Sequence, residues 1–418
     1  METRSPSDPL SPIGQKRQRR RVLLWAAAAT LLALAWQASL VHFLYGGDWT
    51  SLFYQGDRRE LPKALRGSYV FQHNAGFDGQ YYRVIAHDPL ARGDIGALDA
   101  PALRYRRILV PGLAFVLGMG SDRWIDCAYN FVILASVFLG AYWAALLAAA
   151  AGFSTAWGMA FLLVPGVFCG VERAAVDITL IALTLGCLWY ALNHRNVALY
   201  WVLVCAPLTR ETGICLTAGF VLWELRQRHW RRAAIFASSA LPAGIWFAYL
   251  ARKFPPDPLR RFAWFPLEEL WLMKFRYDTH QVSGASHIPG AGWVQVVLYY
   301  LALGAAMMAF YLALRHVRTH LESPPGIAMV LFTFVAVMSF APGLWFSAYN
   351  FTRVFAPLAL LLAWEAVARK QLTQAVPLIV MAAPPLLVPA AKAWQIVRGL
   401  VSSVHHPLVH LVFVILLH

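Results

Sequence analysis

The sequence predicts an all-α polytopic membrane protein, on the basis of its composition and its apolar runs. Of the 418 residues, 59% are hydrophobic and only 14% are charged, and the mean hydropathy is +0.53. A soluble domain carries about 25% charged residues. Near-continuous apolar runs recur from Val22 to the C-terminus, and the alternating apolar and polar strands that a β-barrel needs are absent from the sequence.

The first apolar run, Val22–Leu44, is long enough to cross a bilayer. Residues 16–21, which directly precede it, are all Lys or Arg except for one Gln. Positive charge beside a first span keeps that end in the cytoplasm. We therefore expect residues 1–21 to form a disordered basic cytoplasmic tail and residues 22–418 to form a single transmembrane domain. The run lacks a small-residue cleavage site, so it is not predicted to be a signal peptide.

Later apolar segments bring the predicted total to about ten to twelve membrane passes. They cover residues 125–150, 156–171, 176–192, 197–225, 233–251, 293–314, 327–346, 351–368, 374–391 and 407–418. Residues 108–119 are short for a span and are predicted to form a half-helix. Residues 197–225 form either one pass or two half-helices broken between Pro207 and Gly213.

Two polar stretches are predicted to lie outside the cytoplasm. The first is residues 46–107, a large first extracytoplasmic loop directly after the first span. The second is residues 252–292, which follow the cytoplasmic basic loop at 226–232 and one further apolar segment. This second loop contains Asp257, Glu268, Glu269, Asp278, His280 and His287.

Several partners and sites are not indicated. The net charge is +15, but the basic residues stand at the ends of apolar segments rather than in one patch, so no nucleic-acid partner is predicted. The five cysteines have no C-x-x-C spacing and are typical of small packed side chains. No phosphate-binding glycine motif is present. The lipid bilayer is therefore the environment that the sequence predicts.

Ionisable residues inside apolar segments are costly and usually mark a pathway or a site. In this chain they are Glu172, Arg173, Asp177, Arg210, Glu211 and Arg353. The neighbours Glu172 and Arg173, and likewise Arg210 and Glu211, either neutralise each other at a helix end or belong to a site. Arg353 has no acidic residue within ten positions, so its counter-ion must come from elsewhere in the fold. An anionic ligand is a natural candidate for that counter-ion.

The first loop contains the motif Phe-Asp-Gly-Gln-Tyr-Tyr at residues 77–82. Gly76 and Gly79 flank Asp78, which allows a tight backbone and close approach of a ligand. The following residues have the apolar spacing of a short interfacial helix that ends at Pro89. Asp78 is then either a helix cap or a chemical group. The basic run at 104–107 is equally suited to lipid phosphates and to a ligand.

Three stretches of the chain resemble bacterial membrane proteins linked to cell-surface glycopolymer formation, which are similar to the GT-C superfamily of polyprenol-dependent glycosyltransferases. They are residues 77–89, residues 104–111 and the Leu-Thr-Arg-Glu-Thr-Gly motif at 208–213. The Asp-Gly-Gln-Tyr-Tyr element also looks like the loop-one element of mannosyltransferases that build lipid-anchored glycans. The similarity extends from the first span to about residue 370 and implies a GT-C-like helical bundle.

The resemblance implies a bacterial inner-membrane enzyme, with a cytoplasmic N-terminus, that transfers a sugar with inversion from a polyprenyl-phosphate donor to a glycan or lipid-linked acceptor. Asp78 would take the proton of the acceptor hydroxyl, with Asp48 in reserve. Cations would stabilise the departing phosphate, and sugar-binding side chains would hold the substrate. These substrate-binding residues are Gln80, Tyr81, Tyr82, Arg106, Arg107, Arg210, Glu211 and Arg353.

The chain departs from the family at the acidic signature. Many GT-C enzymes carry two acids one residue apart in this loop, whereas Asp78 is followed by Gly79 and Gln80, and the next acid is Asp88. Whether Mg²⁺ or Mn²⁺ takes part is therefore left open. Two other functions also stay open, namely a lipid-linked glycan transporter and a non-catalytic scaffold for polysaccharide assembly.

Overall fold

The computed structural model describes residues 12–62, 65–93, 95–255, 261–274, 291–340 and 343–416. Within these residues the secondary structure is helical, and the only strand-like pairings are two isolated bridges, Gly56–Phe71 and Phe262–Ser339. The predicted class, an all-α polytopic membrane protein, is confirmed.

The helices of the described residues are numbered in chain order. Their bounds are α1 Pro12–Leu44, α2 Asp78–His87, α3 Pro101–Arg104, α4 Leu109–Leu117, α5 Asp122–Ala150, α6 Val167–Arg173, α7 Asp177–Leu192, α8 Asn196–Thr209, α9 Ile214–Arg226, α10 Trp230–Ser238, α11 Leu241–Lys253, α12 Glu268–Leu272, α13 Ala291–Arg315, α14 Val317–His320, α15 Pro324–Val337, α16 Ala348–Arg369 and α17 Val376–Leu416. Short 3-10 helices cover Trp49–Phe53, Thr155–Leu163, Glu211–Gly213 and Leu372–Ala375.

Among the described residues, five helices are long and apolar enough to cross a membrane, or seven spans if each of two bent pairs counts as one. The bent pairs are Thr155–Leu163 with α6, at 64°, and α10 with α11, at 45°. Three further apolar helices, α7, α8 and α15, are shorter than a span. These numbers lie below the predicted ten to twelve passes, because several apolar segments fold as short or bent helices.

The N-terminal flank corrects one expectation. Helix α1 begins at Pro12, so the basic residues 16–21 continue the first span as helix instead of forming part of a disordered tail. Lys, Arg and Gln have good helix propensity, and extending an existing helix adds one hydrogen bond for each residue fixed. Residues 1–11 lie outside the described part.

Two segment boundaries also become clear. Residues 197–225 form two helices, α8 and α9, separated by the 3-10 turn Glu211–Gly213. At Gly213 a Cβ would lie 2.3 Å from the carbonyl group of Ala206, so this tight return needs glycine. The segments predicted at 374–391 and 407–418 are instead one helix, α17.

The predicted half-helix is confirmed. Helix α4, Leu109–Leu117, has nine residues, or about 13.5 Å at 1.5 Å per residue, which is less than half of a bilayer core. It packs against α2 and α5, and α5 also packs against α1 and α7. Helix α2 of the first loop is thereby held against this helical core.

The described part of the second loop folds back onto the segment after α15. The amide of Ala263 donates to the Met338 carbonyl at 2.8 Å, and the Gly343 amide donates to the Glu269 carboxylate at 2.9 Å. Glu268 accepts from the Trp264 amide at 2.7 Å. The other acids and histidines predicted for this loop, Asp257, Asp278, His280 and His287, lie outside the described residues.

Candidate functional site

The motif at 77–82 begins helix α2, and Asp78 is its first residue. The cap position is Phe77, which makes no side-chain capping bond. Gly79 lies so close to the end of α6 that a Cβ there would approach the Arg173 carbonyl oxygen to 2.1 Å. The missing side chain of Gly79 therefore allows the first turn of α2 to dock on α6.

Gln80 fixes the chain that leads into this helix. Its Oε1 accepts from the Gly56 amide at 3.2 Å, and its Nε2 donates to the Ala75 carbonyl at 3.0 Å. The side chain is 3% exposed, so both of its polar ends are used by the protein. Gln80 therefore positions the loop, and it is not available to a sugar in this arrangement.

Asp78 lies between two arginines from distant parts of the chain. Its Oδ1 accepts from Nη1 of Arg104 at 2.8 Å, and its Oδ2 lies 2.6 Å from Nη2 of Arg353 in α16. Burial would raise the pKa of Asp78, but the charges of Arg353 and Arg104 outweigh it, so the pKa lies well below its usual value. Asp78 is consequently ionised and serves as a counter-ion rather than as a helix cap.

Arg104 connects this carboxylate to the surface of the first loop. Its Nε and Nη2 donate to the two oxygens of Asp99 at 2.8 and 2.7 Å. The guanidinium lies 4.4 Å from the centre of the Tyr81 ring, a cation–π contact. Desolvation would lower the pKa of Arg104, but Asp78 and Asp99 hold it above its usual value.

Arg353 extends the network into the helical core. Its Nη1 donates to Oδ2 of Asp177, the first residue of α7, at 3.2 Å. The other oxygen of Asp177 accepts from Nη1 of Arg210, at the break between α8 and α9. The predicted distant counter-ion of Arg353 is thus a pair of carboxylates, Asp78 and Asp177.

A fourth arginine lies beside this network. Arg107 is 8% exposed and donates to the Tyr82 hydroxyl at 2.6 Å and to Glu211 at 3.2 Å. Arg210 and Glu211 therefore bind separate partners instead of each other. The alternative in which these two neighbours form a self-contained pair is wrong, because each side chain points to a different element.

Glu172 and Arg173 likewise separate. The Glu172 carboxylate accepts from Trp36 in α1 at 3.0 Å and from Lys392 in α17 at 2.8 Å. The Arg173 guanidinium lies 4.5–4.7 Å from the centres of three aromatic rings, those of Tyr54, Phe77 and Tyr349. Arg173 is therefore surrounded by aromatic rings, and no carboxylate of the described residues forms a salt bridge with it.

Two predicted residues lie apart from the cluster. Asp48 caps the 3-10 helix Trp49–Phe53, where its Oδ1 accepts from the Thr50 amide at 2.8 Å and from the Thr50 hydroxyl at 2.7 Å. Arg106 is exposed, and its guanidinium lies 5.7 Å from the Phe247 ring centre. Asp48 is therefore used as a local cap. The turn that follows α3 leaves Arg106 exposed while Arg107 is buried.

Four residues of the site were not assigned a catalytic or substrate-binding role from the sequence: Arg104, Asp99, Asp177 and Arg173. Asp177 had a usable signal, since a carboxylate within an apolar segment needs a partner. Arg104 had the same claim as its neighbours in the basic run. Asp99 carried no signal, because an acid in a polar loop is ordinary.

The cluster joins four arginines to four carboxylates, so it is electrically balanced. The pairs are Arg104 with Asp78 and Asp99, Arg353 with Asp78 and Asp177, Arg210 with Asp177, and Arg107 with Glu211. Guanidinium groups bind phosphate and carboxylate with the same geometry. An anionic ligand could therefore replace Asp78 on Arg104 and Arg353.

The carboxylates of the cluster do not fit a metal site, since arginines occupy both oxygens of Asp78 and of Asp177. In the part of the chain that the structure describes, no group of three or more His, Cys, Asp or Glu side chains is placed to hold a metal ion.

Two cavities adjoin the site. One, of about 1080 Å³, is open to the outside of the first loop and has Tyr81 and Arg59 in its lining. The other, of about 280 Å³, is apolar and lies between α1, α6 and α17, with Trp36, Phe168 and Pro389 in its lining.

A scan against protein-family models, a search of curated proteins and a search of solved structures found no match to this chain.

Proposed function

We propose that this protein is an inverting membrane glycosyltransferase of GT-C type, which moves a sugar from a polyprenyl-phosphate donor to an extracytoplasmic glycan or lipid-linked acceptor for cell-surface polysaccharide. In this proposal it resides in a bacterial inner membrane with its N-terminus in the cytoplasm. The proposal rests mainly on one observation, the contact of the Asp78 carboxylate with Arg104 and Arg353. It places a carboxylate and two phosphate-binding groups within one buried cluster.

The proposed reaction is a single displacement. The acceptor hydroxyl oxygen forms a bond to the anomeric carbon of the donor sugar, and the bond from that carbon to the phosphate oxygen breaks. Polyprenyl phosphate leaves with the electron pair, and the hydroxyl proton passes to Asp78. Attack from the face opposite the phosphate inverts the anomeric carbon.

The arginine contacts explain how Asp78 would act as a base despite its low pKa. While Arg104 and Arg353 hold the carboxylate, it is a poor proton acceptor. A donor phosphate competes for the same guanidinium groups, and its arrival frees the carboxylate and raises its proton affinity. The arginines then neutralise the charge that develops on the leaving phosphate.

The apolar cavity supports a lipid donor. It lies between α1, α6 and α17, and its wall includes Trp36, whose indole nitrogen donates to Glu172. Glu172 directly precedes Arg173, and the backbone of Arg173 contacts Gly79 of the motif. An isoprenoid segment in this cavity would therefore lie against α6, the helix whose last residue, Arg173, contacts Gly79 of the motif.

The test uses purified protein in non-ionic detergent and a panel of polyprenyl-phosphate sugars, with release of free polyprenyl phosphate as the readout. Asp78→Asn is expected to reduce release by at least about a hundredfold, since general-base catalysis contributes about 10²–10⁴-fold. Asp48→Asn, which removes a carboxylate of the same loop outside the cluster, is the matched control. Normal release by Asp78→Asn would refute the base assignment.

A lipid-linked glycan transporter is the second candidate, and the bent helices favour it. The 64° bend between Thr155–Leu163 and α6 directly precedes the cluster, and transporters often build their sites at broken helices. Protein reconstituted in vesicles distinguishes the two functions. Movement of an intact labelled lipid-linked glycan across the bilayer, without release of polyprenyl phosphate, would support the transporter.

A further inference from the structure

The 1080 Å³ cavity of the first loop is distinct from the arginine–carboxylate cluster, although the two share a wall. Residues 58–62 and Arg66 form one side of the cavity, and Gly96 and Ala97 form the other. Tyr81 also lines the cavity, and the same ring contacts Arg104 at 4.4 Å. A molecule in the cavity is therefore separated from Asp78 by little more than the Arg104 side chain.

The lining of the cavity is basic. Its described residues include Arg58, Arg59 and Arg66 and one acid, Glu60. All four residues are exposed, and no described residue forms a salt bridge with any of the three arginines. Among the described residues, the side-chain hydrogen bond that these arginines make is a long one, from Arg59 to the Leu98 carbonyl at 3.3 Å.

A further carboxylate, Asp57, directly precedes this basic run in the sequence. Asp57 accepts from the backbone amides of His73 and Asn74 at 2.7 and 3.1 Å, which fixes a turn of the loop. Those bonds lower the pKa of Asp57, with the His73 amide as the largest cause. Asp57 is therefore ionised, and the described charges at this surface, three arginines against Glu60 and Asp57, leave a net charge of +1.

We propose that this cavity binds an anionic oligosaccharide, a segment with carboxylate groups on its sugar rings, as the acceptor. This inference rests on the proposed function and adds the chemical class of the acceptor. Arginines bind carboxylates through two parallel hydrogen bonds, and Tyr81, which is 8% exposed, contributes an aromatic ring to the lining. A pocket for a drug-sized ligand measures about 300–1,000 Å³, so this cavity takes several sugar rings.

The test is calorimetric titration of the purified full-length protein in non-ionic detergent with hexagalacturonate, and with neutral maltohexaose as the uncharged match. Hexagalacturonate is expected to bind at least about tenfold more tightly. Its affinity should fall as salt rises from 0.1 to 1 M, because the screening length shortens from about 10 to about 3 Å. Equal binding of the two oligosaccharides would overturn the inference.

The variants assign the binding to the cavity. The triple variant Arg58→Gln/Arg59→Gln/Arg66→Gln is expected to weaken hexagalacturonate binding at least about tenfold. The control Arg195→Gln/Arg228→Gln/Arg231→Gln removes the same charge from exposed arginines elsewhere and should change the affinity less than twofold. Equal losses in both triple variants would overturn the inference.

Two further outcomes separate the possible failures. If anionic lipid in nanodiscs binds through the three arginines while hexagalacturonate does not bind, the cavity is a membrane contact and the inference is wrong. If the wild type releases polyprenyl phosphate but does not bind hexagalacturonate, only the acceptor class is wrong. Binding of hexagalacturonate without any donor turnover would instead support the cavity while contradicting the transferase proposal.

Discussion

The carboxylate of Asp78 and the guanidinium of Arg353 lie 2.6 Å apart, although one belongs to the first loop and the other to α16. This contact joins the most polar part of the chain to one of its most buried helices. Because Arg353 also binds Asp177, the same side chain links α2, α7 and α16. Changes at Arg353 should therefore affect both the stability of the fold and the site.

The first prediction concerns this ion pair. Arg353→Gln leaves Asp78 without its closest partner in a buried setting and should lower the free energy of unfolding by about 3–5 kcal/mol. The double variant Asp78→Asn/Arg353→Gln should lose about 0.5–3 kcal/mol less unfolding free energy than the summed losses of the two single variants. Unfolding in detergent measures these values. If the two losses of unfolding free energy simply add, the contact is contradicted. The control is Arg195→Gln, at an exposed position.

The second prediction concerns the docking of α2 on α6. Gly79→Ala places a methyl group 2.1 Å from a backbone oxygen that cannot move aside, and it should destabilise the protein by about 1–3 kcal/mol. Gly244→Ala, in α11, meets nothing within 4 Å and should be neutral or stabilising. Melting temperatures of the two variants test this, and equal effects would show that the contact is not tight.

The parts of the fold that local sequence determines were predictable, whereas several spans were not. The first span, the half-helix α4 and the break near Pro207 follow from apolar length and from proline and glycine. The number of spans does not, because the bends before α6 and between α10 and α11 depend on packing against other helices. The continuity of α17 was also hidden, since the polar residues Lys392, Gln395 and Arg398 and the polar stretch 402–406 separate its apolar parts.

The candidate site was predictable in its members more than in its pairings. Asp78, Arg107, Arg210 and Arg353 meet in one cluster, as charged groups in an apolar protein must. The partner of each arginine depends on which helices lie side by side, which one sequence does not reveal. Local capping by Asp48 and the buried amide bonds of Gln80 likewise appear only in three dimensions.

The third prediction concerns pH. His87, at the end of α2, faces Asp122 at 2.6 Å and Asp126 at 3.2 Å on α5, and Arg83 binds the same Asp126. Burial would lower the pKa of His87, but its bonds to Asp126 and Asp122 raise it above 6.5. Because folding raises this pKa, the charged His87 stabilises the fold fully at pH values below its pKa in the unfolded chain. The stabilisation is lost as the pH rises through its pKa in the folded protein.

The measurement compares the wild type with His87→Gln. The difference in melting temperature should be largest near pH 6 and should narrow by pH 9. A difference that stays constant or widens over this range would contradict the assignment of a charged His87 between the two aspartates.

The fourth prediction concerns Lys392, the partner of Glu172 at 2.8 Å. Lys392→Met should destabilise the protein by about 3–5 kcal/mol, because it leaves a carboxylate with 1% side-chain exposure without its cation. Glu172→Gln/Lys392→Met should recover part of the loss. The control is Arg398→Met, an exposed position of the same helix. If both methionine variants melt alike, the ion pair is not buried in solution.

The separation of Glu172 and Lys392 by 220 positions has a consequence for biosynthesis. At about 5–20 residues per second, a ribosome needs roughly 10–45 s to reach the lysine after it has made the glutamate. During that interval the nascent chain holds an acid in an apolar setting with its eventual cation still untranslated. Pairing of Glu172 must therefore await delivery of α17, and nascent chains that stop before it should be prime targets for membrane proteases.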